Sequence, residues 1–292
     1  MRAVRRSPVP FRTALERAWD AHDSLLCVGL DPVPEAWPVE FQRSPEGAFA
    51  FCCAVVDAVA DLVCAFKPQA AHFGAIGAED ELAALIRYIH DAHPAVPVIL
   101  DAKRGDIGST AERYAVEVFE RYGADAVTVN PFLGEESIAP YLAHRDRGVF
   151  VLCRTSNPGS DWLQRSGGDE PVYLRVARAA ATWNDRGNVM LVTGATYPAE
   201  LADIRRVVGD MPLLVPGLGT QGGEVDAVLE AGLDSTGRGL VCNVSRAVLN
   251  ANGPDGFAKA VRASALGFRD AIARSRRALL VRRGEVAPVD SR

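Results

Sequence analysis

The chain reads as an α/β protein best fitted by a (β/α)8 TIM barrel. Three observations predict it: eight short apolar runs recur along the sequence, segments of helical period separate them, and polar or charged residues gather at the carboxyl end of nearly every run. The runs lie at 25–31, 63–68, 96–103, 126–131, 148–156, 189–195, 212–219 and 240–246. They are continuously apolar rather than alternating, the pattern of strands covered on both faces. Between them, segments such as 46–61, 80–92, 110–122, 170–184 and 222–231 repeat their apolar positions every three or four residues. Asp80 and Thr110 stand where N-caps belong. An open doubly wound sheet would show the same alternation, since counting strands does not demonstrate closure. With no linker-like stretch between halves, residues 1–273 are expected to form one barrel with a short basic N-terminal extension, and 274–292 a flexible Arg-rich tail.

With 48% hydrophobic and 24% charged residues, the 292-residue chain can build a large core and is neither disordered nor collagen-like. Its net charge of −5 is unevenly spread: 1–12 hold four arginines and no acid, and 274–292 hold six arginines against Glu285 and Asp290, which leaves −13 on the body. Such a body is a poor nucleic-acid binder, and the basic ends read as solvated tails. The longest apolar runs are too short to span a bilayer, and residues 1–10 lack the apolar core of a secretory signal. The six cysteines show no metal-ligand or CxxC spacing, so they are expected to be reduced and buried in a cytoplasmic protein. Of the 32 basic residues only Lys67, Lys103 and Lys259 are lysines. Where arginine is the default cation, a retained lysine points to a task a guanidinium does poorly: giving up a proton, or fitting a compact charge into a tight site.

In chain order, the first run ends at Asp31, before Pro32. The second ends Ala65-Phe-Lys67-Pro68-Gln, where the proline prevents helical continuation and fixes the strand exit. The third leads into Asp101-Ala-Lys103-Arg104-Gly105-Asp106-Ile107-Gly108-Ser109-Thr110, the densest cluster of chemistry in the chain. In an extended strand Asp101 and Lys103 share a face. An Asp-x-Lys pair by itself is commonly an internal ion pair. Asp106 adds a second acid, and two carboxylates flanking one ammonium keep it protonated and able to act as a general acid. In a closed barrel the ends of these three runs adjoin, so Asp31, Lys67, Asp101 and Lys103 form an alternating array.

Runs four and five end at Asn130 and at Thr155 with Ser156. The seventh opens into Val215-Pro216-Gly217-Leu-Gly219-Thr-Gln221-Gly-Gly223, a glycine loop whose backbone N–H groups can approach an anion ahead of a helix N-terminus. The eighth ends Asn243-Val-Ser-Arg246. Loops after strands seven and eight form a recurrent phosphate site in such barrels, and an arginine there can clamp a phosphate bidentately. The spacing fits neither a Rossmann fingerprint nor a Walker loop. His72 is the only histidine near a strand end, no histidine pair has metal-ligand spacing, and no G-x-S-x-G signature is present. No metal and no cofactor are expected.

Taken together, Leu-Cys-Val-Gly-Leu-Asp-Pro, Phe-Lys-Pro-Gln-Ala-Ala-His-Phe, Leu-Asp-Ala-Lys-Arg-Gly-Asp-Ile-Gly-Ser-Thr, Val-Asn-Pro-Phe-Leu-Gly, Arg-Thr-Ser-Asn-Pro-Gly-Ser, Gly-Ala-Thr-Tyr-Pro and Pro-Gly-Leu-Gly-Thr-Gln-Gly-Gly resemble the orotidine 5′-monophosphate decarboxylase family. The likeness is closest to the branch found in mycobacteria and related bacteria. It covers residues 12–270, and the D-x-K-x-x-D-I segment is its most specific part.

The resemblance implies a homodimeric barrel that converts orotidine 5′-monophosphate to UMP and carbon dioxide without metal or cofactor, the last step of de novo pyrimidine nucleotide synthesis. It places Asp101 against the scissile carboxylate and makes Lys103 the donor of a proton to C6. Asp106, Ile107 and Thr110 would come from the partner subunit, so that each site straddles the interface. Asp31 and Lys67 would contact the ribose hydroxyls, Ser156 the pyrimidine, and Gln221 with Arg246 the phosphate, beside Pro216, Gly217 and Gly219. One departure stands out: the family's phosphate arginine usually follows glycine, whereas Arg246 follows Val-Ser. The alternatives are a metal-dependent sugar-phosphate lyase or decarboxylase of the same barrel group, and a non-catalytic nucleotide-binding barrel.

Overall fold

Each of the eight apolar runs forms a strand: β1 (Leu26–Leu30), β2 (Ala65–Pro68), β3 (Ile99–Arg104), β4 (Ala126–Val129), β5 (Gly148–Arg154), β6 (Val189–Thr193), β7 (Leu213–Pro216) and β8 (Leu240–Val244). The computed structural model describes residues 9–218 and 222–287. The described helices are α1 (Phe11–His22), α2 (Pro45–Val59), α3 (Ala70–Gly74), α4 (Glu79–Ala92), α5 (Gly108–Val116), α6 (Ala139–Leu142), α7 (Asp161–Gln164), α8 (Val172–Thr182), α9 (Pro198–Val208), α10 (Gly222–Gly232), α11 (Arg246–Leu249) and α12 (Phe257–Arg282).

All paired strands are parallel, in the order β2-β1-β8-β7-β6-β5-β4-β3. Bridges Phe66↔Val98 and Gln69↔Asp101 join β2 to β3 and close the ring, which excludes the open doubly wound sheet. Seven strands are buried along nearly their whole length, whereas β3 is buried through Asp101 and then emerges through Ala102 to Arg104. The chain surfaces there because the residues that follow are charged.

Several local expectations shift. Asp80 and Thr110 lie inside the first turns of α4 and α5, whose N-caps are Ala78 and Ile107. Three acids in the first turn of α4, Glu79, Asp80 and Glu81, complement the helix dipole in place of a side-chain cap. The expected helix over 110–122 is α5 followed by a π turn, Glu117–Arg121. The boundary at 273 falls within α12, which runs to Arg282 because Ile272, Leu279 and Leu280 are buried at helical spacing. This helix packs on α2 and α10, and Arg262 pairs with Asp61 at 2.7 Å.

Helix α1, which the strand count does not foresee, packs against the amino-terminal end of β5. Phe11 meets Phe150 edge to face at 5.7 Å, and any Cβ at Gly148 would collide with the Phe11 ring. With Phe11 almost fully buried, Phe11→Ala is expected to lower the unfolding free energy by about 3–5 kcal/mol, read from urea denaturation.

Candidate active site

The carboxyl ends of β1, β2 and β3 bring Asp31, Lys67, Asp101 and Lys103 together as the sequence order predicts. Asp101 is the centre of the group. Its Oδ2 accepts from Lys67 Nζ at 2.8 Å, and its Oδ1 accepts from Lys103 Nζ at 2.6 Å and from the Thr128 hydroxyl at 2.8 Å. The two lysines are not equivalent. The Lys67 side chain is 4% exposed and that of Lys103 is 47% exposed, so Lys103 is the ammonium a ligand can reach.

Burial disfavours charge on Asp101, yet Lys67 and then Lys103 outweigh it and hold the carboxyl well below the usual carboxylate range. Burial likewise opposes the charge on Lys67, and Asp101 followed by Asp31 raises its pKa above the ordinary lysine value. Asp31 is half-buried, and its Oδ1 has no described hydrogen-bond partner. Behind the array, burial pushes the Cys27 thiol up to about 12, so that it is a neutral packing group rather than a nucleophile.

Lys103 reaches Asp101 by a route that strand alternation does not supply. The register of β3 against β4 shifts between Leu100 and Arg104, and Lys103 adopts φ 45°, the left-handed region. For a residue with a Cβ this costs about 1–3 kcal/mol and requires an outside constraint. Thr128 supplies it. Its hydroxyl accepts from Ala102 N at 3.1 Å and Lys103 N at 3.0 Å while donating to Asp101, which uses the full capacity of a hydroxyl. Sequence reasoning missed Thr128, although a hydroxyl within the otherwise apolar run 126–129 is a visible signal.

Asp106 does not flank Lys103 in this chain, contrary to the two-carboxylate reading. Its Oδ1 accepts from the Ile107 backbone N–H at 2.8 Å, because the bulge turns the chain away from the array after Arg104. Ile107 is 52% exposed and Thr110 is exposed.

Ser156 lies across the barrel mouth beside the end of β7: a Cβ on Gly217, whose φ is 85°, would stand 3.7 Å from Ser156 Oγ. Pro216 ends β7 in register with Asn243 of β8. Arg246 is exposed at the start of α11 and makes no ion pair with a described residue. Gly219 and Gln221 lie outside the described residues. His72 sits on α3, its Nδ1 3.3 Å from the Pro32 carbonyl and away from the lysines. Among the described residues no group of three or more His, Cys, Asp or Glu is placed to hold a metal ion, and no described helix is long and apolar enough to cross a membrane.

Residues 24–261 match the Orotidine 5'-phosphate decarboxylase / HUMPS family. The chain is 60% identical over 264 residues to the orotidine 5'-phosphate decarboxylase of Azoarcus sp. strain BH72, covering 90% of this chain and 98% of the relative. It is 57% identical to that of Dechloromonas aromatica over the same shares. Among solved structures it is similar to Leishmania donovani OMP decarboxylase, at 37% identity and TM-score 0.80 over 92% of this chain and 99% of that one.

The charges of the array set a pH dependence. A carboxylate with a lowered folded pKa contributes stability above its unfolded value of about 3.9, and that contribution is lost as pH falls through the folded value. Wild-type stability should therefore fall on acidification below pH about 4 with a slope steeper than that of Asp101→Asn by up to about 1.4 kcal/mol per pH unit, measured by urea unfolding at a series of acid pH values.

Proposed function

The chain belongs to the Orotidine 5'-phosphate decarboxylase / HUMPS family and decarboxylates orotidine 5′-monophosphate to UMP, and we propose that the array of Asp31, Lys67, Asp101 and Lys103 is where it does so. The observation that carries the assignment is a carboxylate held ionised between two ammonium groups, with only the second of them open to a ligand.

The chemistry places specific demands on such a site. Loss of carbon dioxide breaks the bond from C6 and leaves its electron pair on a ring carbon that the carbonyls delocalise poorly. A fixed cation beside C6 stabilises that pair, and the same cation can supply the proton. Lys103 takes this role: its Nζ–H is transferred to C6, the amine left behind regains a proton from water, and UMP and carbon dioxide are the products. Asp101 stands against the scissile carboxylate. Two like charges in contact repel, and loss of carbon dioxide relieves the repulsion. Binding energy from the remote phosphate and ribose holds the carboxylate in that place. Asp31 and Lys67 take the ribose hydroxyls, Ser156 the pyrimidine, and Gln221 with Arg246 the phosphate, beside Pro216, Gly217 and Gly219. No metal or cofactor has a part in this scheme.

The exposure of Ile107 and Thr110, with Asp106 bonded to the Ile107 backbone rather than to Lys103, fits a site completed by a second subunit. Exposed Ile107, Phe132 and Leu133, on loops that follow the adjacent strands β3 and β4, supply apolar surface for the contact between copies. A cytoplasmic location accords with six free cysteines. The finer resemblance to the branch found in mycobacteria and related bacteria rests on the ordered motifs, while the relatives compared come from Azoarcus and Dechloromonas.

Lys103→Ala should abolish turnover, followed as loss of orotidine 5′-monophosphate absorbance, and wild-type activity should survive a chelator. A variant that keeps most of its kcat would overturn the role of Lys103, and chelator-sensitive activity would favour the metal-dependent alternative. Mixing inactive Lys103→Ala with inactive Asp106→Ala subunits should restore part of the activity if sites are shared, whereas an unshared site recovers none.

A further inference from the structure

Arg154, the last residue of β5, is fully buried two residues before Ser156, and none of the roles above uses it. Each of its three nitrogens donates a hydrogen bond. Nε donates to Glu200 of α9. One terminal nitrogen donates to Ser160 Oγ, to Gln164 Oε1 at 3.2 Å and to the Thr155 carbonyl at 3.3 Å, and the other to Asp161 at 2.5 Å. The Tyr197 ring, at the N-cap of α9, covers the guanidinium face at 3.9 Å. Arg165 joins the same two acids, at 3.6 Å to Asp161 and 3.4 Å to Glu200, so two cations meet two carboxylates and the cluster has no net charge. With its side chain fully buried and each nitrogen engaged within the cluster, Arg154 is not placed to bind phosphate or carboxylate itself.

What the cluster holds is the segment bearing Ser156. Gln164 fastens Thr155, accepting from its N–H at 2.8 Å and donating to its hydroxyl at 2.9 Å. The Arg154 carbonyl accepts from Gly194 N at 2.7 Å, and a Cβ on Gly194 would lie 2.7 Å from Ser156 N. Ser156 is thus pressed against the end of β6, while the Arg154 side chain ties its loop to α9.

We propose that Arg154 is a positioning residue for decarboxylation: it locks residues 155–164 onto the start of α9, so that the Ser156 hydroxyl is in place before the nucleotide arrives. The proposal rests on the pyrimidine contact assigned to Ser156. Only a planar fork with several N–H groups can engage Glu200, Ser160, Gln164 and Asp161 at once, and a lysine in its place would satisfy one or two of them.

The test is a double-mutant cycle on the full chain, with kcat and KM for orotidine 5′-monophosphate as readout. Arg154→Lys should lower kcat/KM by about 10- to 100-fold, the scale of a small misplacement of a contact. The loss should shrink to about twofold or less when made in Ser156→Ala, because both changes remove the same contact. Asp161→Asn, at a half-exposed partner, gives a second cycle if Arg154→Lys does not yield folded protein, with a smaller loss that also vanishes without Ser156. A folded Arg154→Lys or Asp161→Asn enzyme with unchanged kcat/KM overturns the proposal. So do losses that multiply with that of Ser156→Ala, the mark of a general structural effect. If Ser156→Ala is itself indistinguishable from wild type, the pyrimidine contact fails and this inference falls with it, an outcome distinct from failure of the Arg154 cycle alone.

Discussion

Taking Asp101 and Lys67 out of water together costs several kcal/mol per ion, and a single partner rarely offsets it. Asp101 is held by three donors, Lys67, Lys103 and Thr128, and the field of Asp31 adds to that of Asp101 on Lys67. The barrel makes this arrangement possible because the ends of β1, β2 and β3 converge only after the ring closes through the bridges between β2 and β3. Once closed, the ring gives the site a fixed set of opposed charges, and fixed charges need not reorganise as the reaction proceeds.

The same constraint explains the strain at Lys103. With its backbone at φ 45°, Lys103 bonds Asp101 while its side chain stays about half-exposed, where a ligand can reach it. One hydroxyl, that of Thr128, fixes the turn and the carboxylate together. After this turn the chain leaves the barrel, Asp106 bonds the backbone of Ile107 rather than Lys103, and Ile107 is exposed.

Cation chemistry is divided by shape. The two lysines at the array are compact charges, one enclosed and one half-exposed. The third, Lys259, lies on α12, outside the site. Arginine serves where several acceptors must be gathered, as Arg154 gathers Glu200, Asp161, Ser160 and Gln164 beneath the Ser156 loop. The scarcity of lysine in the sequence therefore corresponds to a difference in geometry.

Periodicity by itself determined the eight strands, and the polar residues at their carboxyl ends singled out one face of the barrel, because both patterns are written in neighbouring residues. The array of Asp31, Lys67, Asp101 and Lys103 was legible for the same reason, once a barrel was assumed. Helix α1 was not foreseen, and α12 ran past its expected end, since their buried faces are defined by what they pack against. The positions of Asp106, Thr128 and Arg154 were decided only by the tertiary structure. A bulge opposite β4 turned Asp106 away, Thr128 bonds residues 25–27 positions earlier in the chain, and Glu200 lies 46 positions after Arg154. Contacts of that separation exist only after the chain has folded, so no local pattern announces them.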